Sequence, residues 1–273
     1  MNRVHNGKQA VQAVIWAQDI FENISIDLLF GTPHTTFADW QENLAIALKL
    51  DVPHISSYAL TLEPKTALEH FVAKGVVSLL DDVEVEAQFL YLVDCLTKAG
   101  YEHYELSSFG KSGYRSRNNT AYWQGKSYLG LGPSAHSFDG NIRSWNISNN
   151  TQYINQIQIG KLPIEREILS KTDRYNEYLM TGLRTMSGVS LNKVKNNFGI
   201  KYLDYLLEQI KSPINDGLLE IVFAKVVKPS ITNDRSSSSS KKKQVFSNDS
   251  VLIISEKGKF LSDGIASNLF MVE

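Results

Sequence analysis

Asn23-Ile24-Ser25-Ile26-Asp27-Leu28-Leu29-Phe30-Gly31-Thr32-Pro33 is a short β-rich run that stops on turn residues. Upstream, residues 7–21 place Ala10, Val14, Ala17 and Phe21 at helical spacing, which predicts a helix with one apolar face. Downstream, residues 37–50 predict a second helix with Trp40, Leu44, Ala47 and Leu48 inward, and residues 54–60 a second strand. Residues 82–99 then read as helix and 101–109 as strand. Strands alternating with helices predict an α/β fold: a parallel sheet with crossover helices. The three units counted here are about half of a closed barrel of this kind.

Beyond residue 139 the alternation stops. Residues 171–185 predict a helix with Tyr175, Tyr178, Leu179 and Leu183 on one side, 188–191 open a second, and 201–210 form a third. Residues 217–227 and 250–255 predict a strand pair, and 257–270 a closing helix. Three helices, a hairpin and a last helix predict a small α+β winged-helix-like domain. Between the hairpin strands lies a Ser/Lys tract, 228–243, too polar to offset the entropy of ordering. The expected organisation is a partial barrel over 1–145 and a C-terminal domain over 146–273, with a disordered insertion at about 228–249.

The chain has 273 residues, 42% of them hydrophobic and 21% charged, ordinary values for a globular protein. A net charge of −1 supplies no field for nucleic acid or an anionic membrane. Lys193, Lys195, Lys201 and the run Lys241-Lys242-Lys243 are diluted by Asp204, Glu208 and Asp216, so no nucleic-acid partner is expected. No apolar run reaches the ~20 residues of a membrane span. The N-terminus lacks a signal pattern, and cytoplasm is the expected compartment. One cysteine, Cys95, excludes an intrachain disulfide and reads as a small buried hydrophobe between Leu92 and Leu96.

Asp27 sits inside an otherwise apolar strand, where burying a carboxylate costs several kcal/mol unless it is paired. Period-two alternation puts Ser25, Asp27 and Leu29 on one face, toward the barrel interior. There Asp27 suits a ribose diol; a structural ion pair is the plainer alternative. Arg3, near the terminus, reads by itself as a surface arginine. Ser57-Tyr58-Ala59-Leu60-Thr61 ends a strand where main chain can meet an adenine edge, and Glu105 is another acid near a strand end, equally suited to a salt bridge.

Residues 115–139 combine two arginines, two asparagines, the pair Tyr122-Trp123 and several Gly/Pro bends, and read as too irregular for helix or strand. Aromatic faces beside guanidinium groups suit a flat, conjugated, carboxylate-bearing ligand such as a porphyrin. None of the six histidines shows paired metal-ligand spacing, so no zinc site is expected. His136, within Gly132-Pro-Ser-Ala-His-Ser, suits haem iron, with a loop histidine satisfied by backbone as the alternative.

With these residues set out, the chain resembles the HemW-type haem chaperones, relatives of the oxygen-independent coproporphyrinogen III oxidases in the radical S-adenosylmethionine superfamily. The matching runs are Arg3-Val-His5, Phe21 through Gly31, His54 through Pro64, Gly100 through Ser108, Asn119 through Gly125, Tyr128 through Phe138 and Tyr178 through Arg184. The resemblance implies the C-terminal part of a radical-SAM (β/α) barrel followed by the winged-helix-like domain. It implies that Arg3 meets the S-adenosylmethionine carboxylate, Asp27 its ribose, and the main chain at Leu29 and Ala59 its adenosine. It implies a haem motif at Asn118-Asn119-Thr120-Ala121-Tyr122-Trp123, with Asn118 where the family carries histidine.

The family's [4Fe–4S] cluster is held by three cysteines of a Cys-x-x-x-Cys-x-x-Cys loop, and nothing here corresponds. The expectation is therefore a fragment that lacks the cluster-binding units and transfers haem to an acceptor protein without reductive chemistry. The alternative is the oxidase of porphyrin biosynthesis. An uncovered strand edge also predicts pairing with the missing N-terminal segment or self-association.

Overall fold

A computed structural model describes residues 5–223 and 250–272. The chain divides into two compact units, 1–122 and 123–273, a division upstream of the one expected at 145/146. The insertion expected at 228–249 lies outside the described residues.

The first unit opens with α1 (Gly7–Gln18), started by a reciprocal capping box between Asn6 and Gln9. The helix stops at Gln18, so Phe21 follows it rather than completing its face. No residue of α1 is fully buried. β1 (Ser25–Phe30) pairs in parallel with β2 (His54–Ala59), Asp27 opposite Ser56, and α2 (Phe37–Leu50) makes the crossover. Thr36 and Asp39 cap α2, and it buries Trp40, Leu44 and Ala47, as its periodicity predicts. Gly31 ends β1 at φ +67°, where a Cβ would press on Val85; this turn requires glycine. After a short α3 (Ala67–Ala73), α4 (Asp82–Lys98) buries Gln88, Phe89, Leu92, Val93 and Leu96. Cys95 is only half-buried, because it sits at the flank of that stripe.

The third strand is a correction. Residues 101–109 form a hairpin of β3 (Glu102–Glu105) and β4 (Ser108–Gly110), not one strand. β4 inserts antiparallel between β2 and β3, giving the order β1-β2-β4-β3 in a mixed rather than parallel sheet. The Glu105 carboxylate accepts the Ser107 N–H at 3.2 Å, which tightens the reversal, and the register shifts between His103 and Glu105. His103 stacks on Phe109 at 4.3 Å. One sheet face, carrying Phe30, Ile55 and Phe109, packs on α2 and α4 through Trp40, Leu44, Phe89, Leu92 and Leu96, all nearly inaccessible. Trp40 donates its indole N–H to the Gln88 carbonyl (3.0 Å), and the Gln88 side chain accepts the Gly31 N–H (2.9 Å).

The segment 115–139 is also more regular than expected. It holds α5 (Arg117–Trp123), which runs to the division between the units, and the strand β5 (His136–Phe138). β5 joins β6 (Ile142–Asn146) and β7 (Ile164–Ile168) in an antiparallel meander, with α6 (Asn150–Gln158) between the last two. Neither the meander nor α6 was expected, because these strands are short, bury few side chains fully and lack a clean apolar alternation.

The rest of the second unit is winged-helix-like. α7 (Lys171–Leu183), capped by Ser170 and Asp173, buries Tyr175, Leu179 and Leu183. The strand β8 (Val189–Ser190) replaces the expected start of a helix, which begins only at α8 (Leu191–Lys193) and continues as a π-helical turn, Val194–Phe198. Gly188 permits this: at φ +62° its missing Cβ leaves room for the Leu252 carbonyl. α9 (Ile200–Gln209) and α10 (Lys211–Asn215) follow, then β9 (Leu219–Phe223) and β10 (Ser250–Ile254), in a sheet of order β8-β10-β9. The closing helix is shorter than expected: a 3-10 stretch, Glu256–Leu261, precedes α11 (Ser262–Asn268). One apolar core unites Tyr175, Leu179, Val194, Phe198, Leu206, Leu219, Leu252 and Ile265.

Candidate functional site

Period-two alternation gives the first unit's sheet a second, polar face opposite α2 and α4, carrying Ser25, Asp27, His54, Ser56, Tyr58, Glu105 and Ser108. Exposure falls across it. Ser25 and Asp27 on the outer strand are open, whereas His54, Ser56, Glu105 and Ser108 are buried. The expectation of a buried Asp27 is corrected: β1 is an outer strand, so its polar residues keep their water.

A hydrogen-bonded chain crosses this face. Ser25 Oγ lies 2.7 Å from His54 Nδ1, and His54 Nε2 lies 2.8 Å from the Tyr104 hydroxyl. Tyr104 also accepts the Ser116 N–H at 3.2 Å. Burial lowers the His54 pKa from its usual 6.5, and the Asp27 charge only partly offsets this. Burial likewise pushes the Tyr104 phenol up. A neutral imidazole with one donor and one acceptor nitrogen matches two hydroxyl neighbours.

Ser116 is where the chain reaches α5. Its side chain accepts the Asn119 N–H (3.2 Å) and its carbonyl the Thr120 N–H (3.0 Å), so the start of α5 is tied to Tyr104 and His54. On this helix Asn118 and Tyr122, and likewise Asn119 and Trp123, are four positions apart, and these two adjoining rows make one arc. Asn118 and Tyr122 are exposed; Asn119 and Trp123 are half-buried. Arg184 lies over the Trp123 ring, 5.3 Å from its centroid.

His136 lies on β5 rather than on α5. It borders a cleft of about 340 Å³ lined by Trp145, Asn146, Asn149, Gln152 and Glu165, with its ring 6.0 Å from that of Trp145. Leu29 shares the face of Asp27, one register step from the β2 terminus at Ala59. Arg3 lies outside the described residues.

Residues 169–224 match the HemN C-terminal domain. The heme chaperone HemW of Lactococcus lactis is 34% identical over 199 residues, 73% of this chain and 52% of the relative. The Bacillus subtilis HemW is 31% identical over 77% of this chain and 56% of its own length, and a Buchnera aphidicola HemW 32% over 80% and 57%. The chain is a HemW-type homologue. It spans about half the length of these curated relatives. Its fold is that of the Escherichia coli coproporphyrinogen III oxidase HemN, described as a radical SAM enzyme: TM-score 0.71, covering 99% of this chain and 60% of that one, at 17% identity. The α/β class is the one the alternation of strands and helices predicts, and the HemN-type C-terminal domain is the one the resemblance implies.

The residues present do not fit an iron–sulfur cluster. The chain has one cysteine, and the described residues hold no group of three or more His, Cys, Asp or Glu placed for a metal. Sequence reasoning passed over three residues that organise the site: His54, Tyr104 and Arg184. His54 opens a strand in phase with Ser25 and Asp27, a detectable signal; the hairpin that delivers Tyr104 and the fold that delivers Arg184 leave no local trace.

Proposed function

We propose that this chain binds haem through α5 and passes it to an acceptor protein, as the name of its curated relatives describes for them. The observation that carries this reading is the single arc of Asn118, Asn119, Tyr122 and Trp123, on a helix whose first turn is anchored to a buried histidine–tyrosine pair. Aromatic side chains stack on a porphyrin plane, and the anchored start holds them in register before the ligand arrives. His136 offers an imidazole for the iron; Asn118 is an amide where the family carries histidine, and an amide is the weaker iron ligand.

Asp27, with the main chain at Leu29 and Ala59 and with Arg3, would hold S-adenosylmethionine at the open end of the polar sheet face. A carboxylate that keeps its water is suited to a ribose diol. The Tyr122-Trp123 pair and the run Gly132-Pro-Ser-Ala-His136 favour haem transfer over porphyrin oxidation. In this reading the protein works in the cytoplasm, and the outer edge of β1 pairs with a further barrel segment or with a second copy. No helix of the described residues is long and apolar enough to cross a membrane.

Titration with haemin tests the proposal. A Soret shift saturating at micromolar protein is expected, with tighter binding by Asn118→His and weaker binding by Trp123→Ala. A featureless titration in both the parent and Asn118→His would refute it.

A further inference from the structure

Arg184 caps the C-terminus of α7, and its Nη1 donates to the Asp263 carboxylate in the first turn of α11. Its guanidinium lies over the Trp123 ring, attracted to the negative face of the indole. Two donors in this contact have no acceptor. Trp123 Nε1 and Arg184 Nε are both shielded from water and meet no hydrogen-bond partner among the described residues. A buried N–H ordinarily has a partner, because the water it lost must be replaced. Two orphans within one stacked pair make the arrangement easy to displace and ready for an incoming acceptor.

We propose that Arg184 is a specificity-determining residue: it yields the Trp123 face to a conjugated ring and then takes a carboxylate of that same ligand. This rests on the reading of α5 as the haem-contacting helix. A planar macrocycle cannot stack on the ring face that the guanidinium covers, so stacking requires Arg184 to move. Once displaced, its Nε and Nη form the planar fork that pairs with a carboxylate. The competing hold is weak: the Asp263 side chain is 59% exposed, and such a pair is screened by solvent. A ligand with no carboxylate must displace Arg184 without giving it a new partner. Arg184 therefore selects for acidic tetrapyrroles and against neutral ones.

The test uses metal-free deuteroporphyrin and its dimethyl ester, titrated into the full chain in one detergent-containing buffer. The parent protein is expected to prefer the free acid about tenfold, the size of one charge-assisted hydrogen bond. In Arg184→Gln this ratio falls to near unity, because the acid binds less tightly and the ester more tightly. Arg184→Lys, which keeps the charge but not the fork, gives an intermediate ratio. Structural damage would instead weaken both ligands alike and lower Tm. An unchanged ratio in Arg184→Gln at the parent Tm overturns the role of Arg184 and leaves the haem reading standing. Parent protein that binds neither porphyrin overturns both.

Discussion

The two units spend their apolar residues differently. The second closes a continuous core around Tyr175, Leu179, Leu206 and Leu252, all with no exposed surface. The first buries one sheet face against two helices and leaves a graded polar face on the other, from exposed Asp27 to buried His54 and Glu105. A closed core makes substitution costly everywhere; a one-sided sheet separates residues that hold the fold from residues free to meet a ligand. The proposed ligand contacts fall on that polar face and on the helix anchored to it.

The largest effect that sharpens this contrast lies in the second unit. Leu179→Ala is expected to destabilise by about 2–5 kcal/mol, since it empties a fully buried site, while Asp27→Asn stays within about 0.5 kcal/mol of the parent. Urea denaturation of both variants measures the difference; equal losses would erase the distinction between a packed and a functional region. Next comes Tyr104→Phe, which keeps the ring but removes the hydroxyl bridging His54 and Ser116. It is expected to cost about 1–3 kcal/mol and to speed amide exchange in the first turn of α5. Unchanged exchange there would show that α5 does not depend on the sheet.

The smallest effect is a pH dependence. The folded-state pKa of His54 lies below its unfolded value near 6.5, so the unfolded chain takes up the proton more readily. Its contribution is complete above about pH 6.5 and declines as pH falls from there toward the folded-state pKa. The cause is burial, which disfavours the charged imidazolium more than the Asp27 charge favours it. Thermal melts from pH 7.5 to 5 on the parent and His54→Gln should diverge only below that value; parallel curves would remove His54 from the argument.

Much of this was legible in the residues. Trp40, Leu44 and Ala47 fall inward on α2 because helical spacing leaves them no other common face, and Tyr175, Leu179 and Leu183 do the same on α7. Asp27 could be assigned to the face opposite the helices from strand alternation alone. The hairpin at 102–110 was not legible, since its two-residue reversal, Leu106-Ser107, holds no Gly, Pro, Asn or Asp to mark a turn. The β5–β7 meander escaped for the opposite reason: its strands carry too few buried side chains to show a period.

Sequence alone determined the local periods, the helix caps, the polar side of β1, the absence of cysteines for a cluster and the Asn-Asn-x-x-Tyr-Trp run, because each is set by neighbours within a turn or two of chain. Tertiary structure decided the antiparallel insertion of β4, the link from Ser25 through His54 and Tyr104 to α5, and the placing of Arg184 over Trp123. Those contacts join residues 12 to 61 positions apart, and only packing of the intervening elements fixes which of many compatible side chains meet.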